Sequence, residues 1–296
     1  MRRKLKHFIY SILNPTFSWN PKEGLNSLKR KMNLYFYLHK NLRDKYKAEL
    51  QFIHEKSSHN ILSYIFPYPF ISDFSMENTQ IFKDEHRGLF YVVHKDKRLY
   101  LKRDIDTEDK VRVAYYCALI EQHKESPHCY LNESYYIDGG VVLDVGSAEG
   151  LLGLMHIEKI EKLYLFEVQK EWIEALQATF DPWKDKVVIV NKYVSDINDD
   201  DCVTLDTMIK DEIIELIKID VEGAELKIFA GATDTLNKTR KLCVCTYHKN
   251  GDEDILKNYL EKRGFSTSFS NNVTLFVLSK LCPPYFRKCL IRAEKW

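Results

Sequence analysis

The residues of this chain best suited to chemistry stand at the ends of short apolar runs. Val141–Val145 passes into Asp144-Val-Gly-Ser-Ala-Glu-Gly150, and Leu163–Phe166 ends in Glu167, 23 residues after Asp144. A later run closes in Ile217-Lys-Ile-Asp-Val-Glu-Gly-Ala-Glu225, and Leu242–Thr246 is followed by His248. In open parallel sheets ligands bind beyond the carboxyl ends of the strands, so these are the positions that matter. Gly146 permits a sharp turn and a close approach of ligand to backbone, and Gly150 opens the next helix without a Cβ. An acid at Glu167 is placed to accept both hydroxyls of a ribose, a charge-assisted interaction of about 1.5–3 kcal/mol.

Two nucleoside cofactors suit such an arrangement. A dinucleotide requires G-x-G-x-x-G/A, so that backbone meets pyrophosphate and helix packs on strand. Here Gly146-x-Ala148-x-x-Leu151 puts Ala second and a bulky Leu third. S-adenosylmethionine has no phosphate and needs a glycine turn, a ribose acid and room for its amino-acid end. Methyl donation is favoured over hydride transfer to or from a nicotinamide.

With Thr204-Leu-Asp-Thr207 added, these four motifs in this order resemble the FkbM-type class I S-adenosylmethionine-dependent methyltransferases over roughly residues 139–250. The resemblance implies a Rossmann-like, mostly parallel seven-stranded sheet with an antiparallel last strand. It implies cofactor contacts at Gly146, Ser147, Gly150 and Glu167, with Asp144 near the methionine moiety and Asp196 near the adenine; Asp220 is counted with the cofactor-binding residues and favoured as a substrate-side or metal-side carboxylate. Family members are associated with O-methylation of sugars, glycan precursors and natural products. The usual motif has Gly or Asn where Ser147 and Ala148 stand here.

Methyl transfer to a hydroxyl requires collinear positioning and a group to take the proton. The candidates are Asp220 and Glu222 after the fourth strand, His248 after the fifth, and His128 in Ser126-Pro-His-Cys-Tyr130. Each has a plainer alternative: a loop cap for Asp220, a structural histidine for His248, a turn for His128. Glu225 is accounted for by the positive end of the following helix. A divalent metal on Asp220 finds no ligand cluster in the sequence to support it. Cys243 and Cys245 share a strand face and are expected to be buried packing residues. Cys282-Pro-Pro-Tyr-Phe286 superficially resembles a motif of DNA amino-methyltransferases but lacks its leading polar residue.

The elements that must position these residues follow from the alternation of apolar runs and helical stretches. Strands are predicted at 141–145, 163–166, 187–190, 216–219 and 242–246. Helices are predicted at 149–160, 170–180, 224–229 and 254–263, the last ended by Gly264, with residues 205–211 preceding the fourth strand. Phe265–Phe269 and Val273–Leu278, joined at Asn271-Asn272, are predicted to close the sheet as an antiparallel pair. In front of Gly139 the sequence is aromatic-rich and poor in glycine. It predicts a hairpin of 89–93 with 98–102 and a helix 111–122 begun by Asp106-Thr-Glu-Asp109. Residues 1–137 are therefore expected to be an α+β accessory region that caps the cleft and selects the acceptor, and 138–296 the methyltransferase domain.

Composition bounds the rest. The chain has 296 residues, 45% hydrophobic and 29% charged, with 11 Gly and 8 Pro, which excludes collagen-like and wholly disordered classes. No apolar run reaches the roughly 18–20 residues of a membrane span. Seven Cys without a C-x-x-C pair fit a reducing setting, so cytoplasmic residence is expected. Net charge is +1, yet residues 1–50 hold 12 basic and three acidic side chains. With Phe8–Leu13 this basic arm could make weak peripheral contact with an anionic membrane, although a solvated helix face is the plainer reading. The expected partner is a small-molecule or glycan acceptor, with no stable nucleic acid. The expected function is O-methylation of a sugar hydroxyl in glycan or surface-polysaccharide biosynthesis. The alternatives are methylation of RNA or protein and, outside the enzymes, a cofactor-binding scaffold without turnover.

Overall fold

The computed structural model describes residues 21–56, 65–77, 79–275 and 283–295. The apolar stretch Phe8–Leu13 of the basic arm lies outside them. Three helices come first: α1 (Pro21–Leu38), α2 (Lys40–Lys45) and α3 (Lys47–Lys56). The predicted hairpin forms as β2 (Leu89–His94) and β3 (Lys97–Tyr100), with β1 (Ile81–Asp84) added on its outer edge. Its two-residue turn is Lys95-Asp96, both at positive φ as the twist of a tight hairpin demands. Helix α4 (Glu108–Glu121) starts where the acidic signal placed it, with Thr107 Oγ1 accepting from the Lys110 N–H.

The main sheet is laid down by β4 (Val141–Val145), β5 (Lys162–Phe166), β6 (Val187–Val190), β9 (Ile214–Ile219), β10 (Thr239–Cys245), β11 (Ser266–Phe269) and β12 (Leu290–Glu294). A short parallel pair, β7 (Tyr193–Val194) with β8 (Cys202–Val203), stands apart from it. The strand order is β6-β5-β4-β9-β10-β12-β11. β4 pairs in parallel with both β5 and β9, and β12 runs antiparallel to both its neighbours. The expected mostly parallel, seven-stranded sheet is present. The identity of its last strand differs from expectation: β11 pairs with Leu290–Glu294, while Val273–Leu275 lies outside the sheet, with Thr274 bridging Arg287. The stretch 290–294 offers Leu290, Ile291 and Ala293 to the core around an Arg292 that donates to the Tyr130 and Cys129 carbonyls. That charged residue in mid-run hid the strand, and the sheet reaches 294, not about 280.

Helices α5 (Leu151–His156), α6 (Lys170–Phe180), α7 (Leu205–Met208), α8 (Glu225–Ala230), α9 (Thr233–Asn237) and α10 (Asp252–Lys262) connect the strands. Helix α5 is half the predicted length, because buried Ile157 and Ile160 turn the chain directly into β5. On one face of the sheet, Val142, Leu163, Leu165 and Leu216 pack with Leu151, Leu154, Trp172 and Leu176, and with Leu89, Val92, Leu99 and Ile105 of the front region. On the other, Leu143, Phe166, Ile217 and Leu242 meet Ile228, Phe229, Leu256 and Leu260. A third cluster joins Met32, Phe36, Ile53, Phe70 and Ile120 to Leu275, Tyr285 and Phe286. Of the aromatic-rich amino-terminal part, Phe36, Phe66 and Phe70 are core whereas Leu34, Tyr37 and Leu38 are exposed, and Tyr285 and Phe286 of the Cys-Pro-Pro-Tyr-Phe segment join that core.

The Thr204-Leu-Asp-Thr207 motif has a structural task. Thr204 Oγ1 accepts from the Thr207 N–H, and Asp206 accepts from the backbone N–H of Asp234 and Thr235 and from the Thr235 hydroxyl. Asp206 thereby caps α9 from a distance of 29 residues. Asp206→Ala should lower unfolding free energy by about 1–3 kcal/mol in urea titrations while leaving cofactor affinity within about twofold. An unchanged midpoint would refute the capping role.

Candidate active site

The loop after β4 is built by close backbone packing. The Gly146 and Ser147 N–H groups donate to the Phe166 carbonyl, and the Ser147 hydroxyl donates to the Asp144 carbonyl. Asp220 at the end of β9 donates its N–H to the Val145 carbonyl. A Cβ at Gly146, which has φ +78°, would stand 2.0 Å from the Asp220 carbonyl oxygen. Only glycine allows the two strand ends to meet. At Gly150, φ +75°, a Cβ would collide with Leu176 and Phe180 at 2.7 and 2.8 Å, so its role is helix packing.

A cavity of about 470 Å³ opens at these strand ends. The β4–β6 side lines it with Gly146, Ala148, Glu149, Glu167, Trp172 and Tyr193. The β9–β10 side and the front region contribute Asp220, Glu222, Tyr247, His248, Glu121 and His128. The sequence therefore found Gly146, Glu167 and all four proton-transfer candidates at one cavity. Asp144 and Ser147 are buried beneath it, Gly150 stands behind it, and Asp196 is exposed with its carboxylate on the Ser195 hydroxyl, outside the lining.

Glu167 accepts from three backbone N–H groups, those of Val168, Gln169 and Ala148, at 2.7–2.9 Å. A carboxylate has about four lone-pair sites, so about one remains for a ribose hydroxyl in this conformation, not the two the sequence suggested. Glu149 has one of the displaced titrations of the cavity. Burial, with the charge of Glu121, pushes its carboxyl up to about 7.

Lys218 was not anticipated. Its ammonium is 2.9 Å from Asp144 Oδ1 and also donates to the Gly146 carbonyl. Burial opposes the charged form, but Asp144 and Asp220 hold the lysine protonated above its usual range. The signal that could have found it is a lysine inside an otherwise apolar central strand, which requires a buried partner.

Asp220 is the hub of the β9–β10 side of the cavity. Tyr130 Oη donates to Oδ2 at 2.9 Å and Tyr247 Oη to Oδ1 at 3.2 Å. His128 Nε2 is 3.4 Å from Oδ2 and His248 Nε2 3.3 Å from Oδ1. Burial works to raise the carboxyl, but both histidines outweigh it and keep Asp220 ionised, well below the usual range. His248 Nδ1 meets Glu225 Oε1 at 2.8 Å, so Glu225, 2% exposed, orients the imidazole and does more than face a helix dipole. Burial would lower His248, yet its bonds to Asp220 and Glu225 hold it up at about 10. At neutral pH it is then an imidazolium that donates to Asp220 and has no free basic nitrogen. Glu222 sits at the rim with φ +56°, before Gly223 at +94°.

The strand order and the cavity at the strand ends are those of a Rossmann-like, seven-stranded class I methyltransferase fold. Residues 158–267 match the family model of the Methyltransferase FkbM domain. The curated proteins contain no match. Among solved structures, the methyltransferase FkbM from Methylobacillus flagellatus KT is 20% identical, covering 62% of this chain and 54% of that one, with TM-score 0.44. A putative tRNA (m1A22) methyltransferase from Streptococcus pneumoniae, in complex with S-adenosyl-L-methionine, is 19% identical over 54% of this chain and 68% of that one, with TM-score 0.37. The chain spans about half the length of the M. flagellatus protein. Among the described residues no helix is long and apolar enough to cross a membrane.

Lys218→Met leaves the buried Asp144 without its counter-charge and should cost about 3–5 kcal/mol. Pairing it with Asp144→Leu should recover most of that loss, read by chemical denaturation; a double variant as unstable as the single one would refute the coupling.

Proposed function

We propose that this chain transfers the methyl group of S-adenosylmethionine to an oxygen, and that the acceptor is a sugar hydroxyl in glycan or surface-polysaccharide assembly. The observation that carries this reading is the shared cavity: the Gly146 turn and Glu167 line it together with an ionised Asp220 ringed by two tyrosines and two histidines. A polyhydroxylated acceptor suits a wall so dense in hydrogen-bonding groups, and the FkbM family's association with sugar O-methylation points the same way.

The residues present fit the cofactor. The cradle at Gly146 tolerates no Cβ, Glu167 retains an acceptor site, and the cavity has the volume of a small nucleoside ligand. When bound, S-adenosylmethionine supplies an electrophilic methyl on a sulfonium. Glu167 would hold a ribose hydroxyl, and the Gly146 turn would leave room for the cofactor beside the backbone. An acceptor hydroxyl would reach Asp220 by replacing one of the two tyrosine hydroxyls that now occupy it, while His128 and His248 keep that carboxylate ionised and fixed in direction. Such positioning of acceptor and donor accounts for about 7–11 kcal/mol of barrier lowering.

Isothermal titration should give binding of S-adenosylhomocysteine that weakens at least tenfold in Glu167→Ala. Incubation with labelled cofactor and a panel of saccharides, RNA and protein should label a saccharide oxygen. Label appearing only in RNA or protein would overturn the acceptor assignment.

Glu149 gives a pH test. Its free-state carboxyl titrates near 7, and a cationic ligand favours the ionised form, so binding releases a proton. Affinity for S-adenosylmethionine should rise between about pH 6 and 8 and then level off. The sulfonium-free product should show a shallower slope, and Glu149→Gln should flatten both. A pH-independent wild-type affinity would refute this role.

A further inference from the structure

The floor of the acceptor half holds a ligand set that methyl transfer alone does not require. We propose that His128 Nε2, an Asp220 carboxylate oxygen and Cys245 Sγ form a three-ligand site for a borderline-soft divalent cation, zinc by preference, with its fourth position open to the cavity. These three ligand atoms lie within 4.8 Å of one another. His128 Nε2 is 3.4 Å from Asp220 Oδ2 and 3.7 Å from Cys245 Sγ. Tetrahedral zinc with bonds of about 2.0–2.3 Å separates its ligand atoms by roughly 3.3–3.8 Å, so two edges of the triangle already have that length.

The three residues come from three parts of the chain: His128 from the turn after α4, Asp220 from the end of β9, Cys245 from the end of β10. Cys245 is fully buried and shares the sheet face of Asp144 and Lys218; His128 and Asp220 line the cavity and Cys245 does not. A metal among them would therefore be gripped from the sheet side and accessible from the cavity side, the layout of catalytic and not of closed structural zinc sites. Nitrogen, carboxylate oxygen and thiolate together select zinc over magnesium or calcium, which prefer all-oxygen shells.

The surroundings complete the case. His128 is 4% exposed, and its Nδ1 has no hydrogen-bond partner among the described residues, with Glu121 Oε2 4.0 Å away. A histidine bound through Nε2 must carry its proton on Nδ1, and a carboxylate at that position is the usual orienting group. Tyr130 Oη donates to Asp220 Oδ2 at 2.9 Å and orients that carboxylate. At Nε2, by contrast, three polar atoms converge (Tyr247 Oη at 3.1 Å, Asp220 and Cys245), while one N–H can serve only one of them. Binding would release the protons of His128 and Cys245 and place two positive charges between a carboxylate and a thiolate. A cation there would polarise an acceptor hydroxyl beside Asp220; that role rests on the methyltransferase reading, whereas the site itself does not.

Full-length protein, stripped with chelator and dialysed against zinc, should retain about one equivalent by elemental analysis. Replacement with Co(II) should give an intense tetrahedral visible spectrum and a near-ultraviolet thiolate-to-cobalt charge-transfer band. Cys245→Ser should abolish that band, and His128→Gln should lower zinc affinity at least tenfold, with thermal melting checked to confirm folding. S-adenosylhomocysteine binding, measured on the same samples, tests the cofactor site separately. No retained zinc, a cobalt spectrum without the thiolate band, or a band that survives in folded Cys245→Ser would overturn the proposal. If Cys245→Ser does not fold, the wild-type cobalt spectrum and folded His128→Gln decide it.

Discussion

The structure depends on how closely the loop after β4 can approach the end of β9. The missing Cβ at Gly146 lets that loop touch the Asp220 carbonyl, and Lys218 fastens the contact by bridging Asp144 and the Gly146 carbonyl. One buried ammonium thus ties two neighbouring strands at the point where both end. Its charge is tolerable in the interior because a carboxylate faces it directly and the glycine carbonyl takes a further proton. Were the approach looser, the Gly146 turn and Asp220 would no longer share a cavity.

That single contact couples two functions. The cofactor turn and the hub of the acceptor wall are adjacent through backbone, without intervening side chains to flex. Precision in methyl transfer is a matter of collinearity, and a rigid backbone junction supplies it better than a pair of loops. Glu167 is fixed in the same way: three backbone N–H groups of the loops it joins hold its carboxylate and leave little room for reorientation.

The sheet was legible in the sequence because fully buried parallel strands are nearly continuous apolar runs, as Val141-Val-Leu143 and Leu163–Phe166 are. β12 was not, since Arg292 interrupts its run and finds its partners in the Cys129 and Tyr130 carbonyls, far away in the chain. The cofactor side was similarly readable, because Gly146 and Glu167 are fixed by local geometry at strand ends. Ser147 and Gly150 were rightly placed in the loop, but they serve its packing, and Asp196 stands off the cavity. The acceptor side resisted reading for a different reason. Lys218, Tyr130 and Cys245 acquire meaning only from partners about 70 to 120 residues away, and no local pattern encodes those pairings. Glu225 was visible, but a dipole argument sufficed for it until His248 Nδ1 was found against its carboxylate.

The acceptor wall also explains why the front region belongs to the site. Glu225, His248, Asp220, His128 and Glu121 form a row in which carboxylates and imidazoles alternate. Alternation is what makes so many titratable groups affordable in one buried place, since each charge is flanked by its opposite and desolvation is offset locally. The first three members come from strand ends and a helix of the sheet domain. The last two come from α4 and the turn after it, which also supplies Tyr130. Hairpin, α4 and turn are in turn held against the sheet by a core they share with β4, β5 and α6. Residues before Gly139 therefore finish a charge pattern that the sheet only begins, and the cavity lies where the two sets of side chains meet.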